Sequence, residues 1–131
     1  MLTRDSERRQ FVRVRAKMSV RYKFLSRAGE DMTGEVHEGA TQNIGGGGIL
    51  LIGRIPKLEW IPDLLMQKIV IGVNLVLPDS EDPVKALTRV AWVESLEEGS
   101  DKCSFGLMFK EITREHQDRI FKYVIKAQMP S

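Results

Sequence analysis

From Val12 to Phe24 the chain alternates. Val12, Val14, Ala16, Met18, Val20, Tyr22 and Phe24 are apolar, and Arg13, Arg15, Lys17, Ser19, Arg21 and Lys23 stand between them. Successive side chains of an extended strand point to opposite faces, so this stretch reads as a strand with one dry face and one wet one. Such a strand needs a sheet whose dry side is covered. Residues 34–44, 47–54, 68–77, 84–95 and 102–112 supply further strand-like runs, separated by turn-rich stretches such as "SRAGEDMTG", "PDSEDP" and "LEEGSD". About six short strands with turns between them predict a mainly β protein, an antiparallel barrel or sandwich.

The period changes at the end. Ile120, Phe121, Val124 and Ile125 fall on one helical face; Thr113 is placed to cap the N-terminus, and Lys122 and Lys126 lie towards the C-terminal end. The pattern predicts one amphipathic helix over 113–128, packed against the sheet. Residues 55–67, "IPKLEWIPDLLMQ", fit neither period. Two prolines and seven large apolar side chains make them a lid over one barrel mouth or, alternatively, a self-association or partner surface.

At 131 residues the chain is one domain with room for a short arm. No apolar run reaches the roughly 20 residues of a membrane helix, and "MLTRDSERRQ" has no apolar signal core. A single cysteine, Cys103, allows no intrachain disulfide, which fits a cytoplasmic protein. His37 and His116 are isolated and form no metal set with it. The net charge is +2, yet residues 1–27 carry nine Arg or Lys against Asp5 and Glu7, leaving that part at +7 and the remainder at −5. The asymmetry points to an anionic partner. From Arg15 onward the same charges also read as the wet face of the first strand.

Nothing in the sequence argues for an enzyme. There is no Ser-His-acid or Cys-His signature and no phosphate-binding P-loop. The run Gly45–Gly48 leads into a strand, where a dinucleotide fingerprint would need a helix. Two features remain. "ERRQFVRVR" sets Arg9 and Arg13 four apart, with Arg8 beside the first, and a guanidinium both forks onto phosphate and stacks on bases. The glycines at 45–48, after Asn43, suit a tight turn or bulge, or the close approach of a ligand.

Each feature alone is weak, but together and in order they resemble a known family. Arg9-Gln10-Phe11-Val12-Arg13, then about 30 residues, then Asn43-Ile44-Gly45-Gly46-Gly47-Gly48 entering a strand, is similar to the paired motif of the PilZ domain, a bacterial receptor for cyclic di-GMP. The strands, "FGLMF" at 105–109 and the final helix follow in the family's order. The resemblance implies a six-stranded antiparallel PilZ-type β-barrel with its C-terminal helix packed on it, over 14–131, preceded by a flexible basic arm, 1–13. It implies that Arg8, Arg9 and Arg13 grip phosphates and guanine, that Asn43 reads a guanine, that Gly45 and Gly48 line the ligand, and that Trp92 is a candidate contact as well as a barrel-wall aromatic. The ligand is cyclic di-GMP, with no other cofactor, and the output passes to a protein partner.

One position departs from the pattern. The family usually has Ser where this chain has Gly45. A hydrogen bond to a charged group contributes about 1.5–3 kcal/mol, so its absence costs a factor of roughly 10 to 100 in affinity. Water or a backbone N–H can recover part of that. The competing expectation is therefore a PilZ-type interaction module that binds a protein, or itself through residues 55–67, without nucleotide. Nucleic acid is the weakest partner, because the arm offers only Phe11 and Tyr22 as stacking aromatics.

Overall fold

The computed structural model describes residues 13–78 and 82–129. It contains seven strands: β1 Arg13–Arg15, β2 Ser19–Ser26, β3 His37–Gly45, β4 Gly48–Arg54, β5 Ile69–Leu75, β6 Val84–Ser95 and β7 Lys102–Ile112. A 3-10 turn at Leu58–Trp60 and two α-helices, α1 Ile61–Leu65 and α2 Arg114–Gln128, complete it. All pairings are antiparallel, and the β3–β4 pairing closes β2, β5, β6, β7, β4 and β3 into a six-stranded barrel. β1 lies outside that ring, paired to the C-terminal half of β3.

The alternation that opens the sequence is realised side chain by side chain. Val20, Tyr22 and Phe24 are buried in the barrel, and Arg21 and Lys23 between them face solvent. Ile69, Ile71, Val73 and Leu75 do the same from β5, as do Phe105 and Leu107 from β7. The expected first strand is, however, two strands. It breaks at Ala16–Met18 because Thr41, buried on β3, accepts a hydrogen bond from Met18 N at 3.1 Å and donates one to the carbonyl of Ala16. That side chain occupies the gap left by a bulge between Thr41 and Asn43. β1 is thereby fixed in line with β2, and it carries Arg13 and Arg15 to the end of β3.

Residues 55–67 cover one end of the core. Ile55 and Leu64 are fully buried, and the Trp60 ring lies 5.5 Å from Phe24. Phe24 also meets His37 at 5.4 Å and Phe105 at 6.5 Å, both edge-on. This aromatic cluster fills the covered mouth. Leu58, Leu65 and Met66, from the same segment, stay exposed.

α2 begins where the sequence placed it. Thr113 accepts a hydrogen bond from His116 N at 3.2 Å, with Glu115 in the first turn and Lys126 in the last. Ile120 and Val124 are buried against the barrel. Among the described residues no helix is long and apolar enough to cross a membrane, and no three His, Cys, Asp or Glu come together as a metal site.

Candidate ligand platform

Residues directly opposite one another in an antiparallel pair project to the same face. Following the register from β1 around the barrel gives two adjacent rows on its outer surface. The first runs Arg13, Gly45, Gly48, Met108, Arg89. The second runs Arg15, Asn43, Leu50, Gly106, Trp92. The intervening residues Ile44, Ile49 and Leu107 point inward and are fully buried. The outcome is a platform with three glycines in its floor. Two arginines stand at one end, and an arginine and a tryptophan stand at the other.

Of the residues expected to bind ligand, the fold brings Arg13, Asn43, Gly45, Gly48 and Trp92 to this one surface. Arg8 and Arg9 lie outside the described residues. The sequence pattern did not single out Arg15, two residues beyond Arg13, nor Arg89, Gly106 and Met108, which join the motif only through strand pairing.

Asn43 is partly buried, and its Oδ1 is wholly shielded, with no hydrogen-bond partner among the described residues. Leaving a buried acceptor unmade costs about 1–3 kcal/mol. The bulge just before Asn43 is what lets this side chain face outward beside Leu50 while Thr41 points into the core. Arg13 and Arg15 are exposed, and neither has an ion-pair partner among the described residues. The ion pairs among the described residues, Arg21–Glu38, Lys23–Asp31 and Arg54–Asp101, do not involve the platform's cations. Arg15 also borders a neighbouring groove of about 930 Å³, which Lys17, Arg54 and Lys102 line as well. Glu38 lines the same groove, and Arg54 there is paired with Asp101.

The glycine run has more than one cause. Gly45 and Gly48 face each other as the last pair of the β3–β4 hairpin, and Gly46 and Gly47 make its two-residue turn. A Cβ on Gly46 would strike the Phe121 ring of α2, its Cζ at 2.6 Å. The Gly46 carbonyl accepts a hydrogen bond from Gln117 Nε2 at 3.1 Å, so the turn is seated directly on the helix. A Cβ on Gly48 would run into the carbonyl oxygen of Leu107, because β4 and β7 approach closely there. A Cβ on Gly106 would collide with the indole of Trp92, which covers it. A β6 bulge between Val90 and Trp92 inserts Ala91 and turns Trp92 outward, leaving it 42% exposed. Substituting Gly46→Ala is expected to cost about 1–3 kcal/mol, since Phe121 can rotate away only by giving up packing. A thermal melt measures this, and an unchanged midpoint would show that the ring yields freely.

Barrel, external strand, helix and glycine-floored surface together define a small β-barrel module with an outward-facing platform. The family model of the PilZ domain matches residues 7–126, and the chain belongs to that family. Solved structures agree on the fold. The Bacillus subtilis inhibitor of motility MotI/DgrA superposes with a TM-score of 0.66 at 20% identity, over 92% of this chain and 51% of that one. MrkH of K. pneumonia, in complex with c-di-GMP, gives 0.64 at 20% identity, over 92% and 51%. The PilZ domain of CeSA from a cellulose-synthesizing bacterium gives 0.52 at 14% identity, over 89% and 98%. The chain thus spans about half the length of MotI and MrkH and nearly all of the isolated CeSA domain. Among curated protein sequences no significant match is found.

Proposed function

We propose that this chain is a non-enzymatic receptor for cyclic di-GMP, which binds on the outer platform between Arg13 and Asn43. The single observation that carries the reading is the meeting on one surface of Asn43, whose Oδ1 has no hydrogen-bond partner among the described residues, with Arg13 and Arg15, which form no ion pair among those residues. Once the Asn43 amide turns outward, a guanine edge presents N–H donors to its oxygen, and the ligand's phosphates suit guanidinium forks. Arg8 and Arg9 join Arg13 as the arm draws onto the ligand. The bonds and stacking gained are offset by the entropy of ordering that arm. Family membership and the c-di-GMP complex of MrkH support the choice of ligand.

The same geometry supports a relay. The turn between Gly45 and Gly48 is bonded to Gln117 and packed on Phe121, so a ligand that shifts the turn shifts α2 with it. A partner protein reading that helix or the closed arm would receive the signal.

Calorimetric titration with cyclic di-GMP tests the reading. Asn43→Ala is expected to weaken binding by roughly tenfold or more. Gly45→Ser, which restores the family's usual hydroxyl, is expected to tighten it several-fold. Absence of heat with the wild type would favour the second reading, an interaction module that has lost nucleotide. Gly45 and the exposed Leu58, Leu65 and Met66 motivate that alternative. Under it, the protein would self-associate or take a partner through residues 55–67.

A further inference from the structure

The far end of the first row carries a cation that the family motif does not include. Arg89 on β6 pairs with Met108, Met108 with Gly48, Gly48 with Gly45, and Gly45 with Arg13. Four strand steps of about 4.8 Å separate the two arginines, roughly 19 Å around the curved surface. Between them stand two glycines and one flexible thioether side chain. The Arg89 side chain lies along this row, with Nη2 3.0 Å from the Sδ of Met108. Sulfur is a weak acceptor, and no carboxylate pairs with Arg89 among the described residues. Arg89 is nevertheless half-buried. A half-desolvated guanidinium resting on a thioether has its strongest interaction unmade. Trp92 follows on the same strand, beyond the exposed Ala91 of the bulge, so a cation and an aromatic residue share this wall.

We propose that Arg89 is a phosphate-binding residue of the platform. It leaves Met108 to grip the ligand from the side opposite Arg13, while Trp92 flanks it. This rests on the receptor reading above and deepens it. Ligand seated against the β1 arginines alone would leave the β6 wall uninvolved. Ligand held from both sides would be clasped across the glycine floor, with Met108 moving aside.

The test is titration of the full chain with cyclic di-GMP, comparing wild type, Arg13→Ala, Arg89→Met and Arg89→Lys at low and moderate salt. Arg89→Met keeps an unbranched apolar stem over Met108, and thermal melts check that each variant is folded. The expected result is a loss of roughly tenfold or more for Arg89→Met, a flatter salt dependence, and partial recovery with Arg89→Lys. The phosphorus NMR signals of bound ligand should also differ between wild type and Arg89→Met. Arg89→Met binding within twofold of wild type, while Arg13→Ala is weakened, would overturn the role of Arg89 and leave the receptor reading standing. No binding by the wild type would overturn both. Should Arg89→Met fail to fold, Met108→Leu supplies the second arm. It removes the thioether perch without touching the cation, and affinity should hold or rise, whereas a tenfold loss in a folded variant would contradict the release of Arg89 from Met108 onto the ligand.

Discussion

Phe24→Ala is expected to destabilise the barrel by about 3–5 kcal/mol. Phe24 is fully buried at the covered mouth, and its ring meets those of Tyr22, His37, Trp60 and Phe105 with centroids 5.4–6.5 Å apart. Truncation removes the transfer energy of the ring and leaves a cavity that the closed sheet cannot collapse to fill. Three of the four neighbours, Tyr22, His37 and Phe105, sit on hydrogen-bonded barrel strands, and Tyr22 is further tethered by its hydroxyl, which donates to the carbonyl of Arg54 at 2.8 Å. The midpoint of thermal unfolding should fall by roughly 12–20 °C. Trp60, which covers the mouth, should report the change in its fluorescence. A fall of only a few degrees would show that the plug relaxes inward and that residues 55–67 contribute little to the core.

The second large effect concerns Gly48. Its missing Cβ would meet the backbone of β7, with Leu107 C at 3.0 Å and Met108 Cα at 3.1 Å beyond the clashing carbonyl oxygen. At Gly46 the obstacle is a side chain that can swing. At Gly48 it is main chain held in the β4–β7 ladder. Gly48→Ala must therefore part that ladder at the platform's floor, and the cost should reach the upper end of the overpacking range, about 3 kcal/mol. Two explanations of the glycine separate here. If Gly48 serves only ligand clearance, the substitution weakens binding with an unchanged melting midpoint. If it serves strand approach, as the geometry indicates, the midpoint falls by roughly 10 °C, even without ligand.

Much of this architecture was legible because its cause is local. The alternation in β2, the turn clusters and the capping Thr113 each act within a few residues, and the observed β6 and β7 bounds match the expected ones. The break at Ala16–Met18 was not legible, because a side chain from Thr41, distant in sequence, produces it. The glycine run was legible as special but not in its reasons. Phe121 and Leu107 explain Gly46 and Gly48, and nothing near the run in sequence announces either contact. The same holds for the platform. Arg13 and Asn43 were recoverable from a resemblance, whereas Arg89 and Gly106 join them only through register across five strands.

The central claim is that the N-terminal arginines hold a cyclic dinucleotide against the glycine-floored face. The most direct measurement is calorimetric titration of cyclic di-GMP into the wild type and into the Arg9→Ala, Arg13→Ala double variant. The account predicts saturable, salt-sensitive binding by the wild type and a loss of roughly 100-fold or more in the variant. Equal, tight binding by both proteins would contradict it.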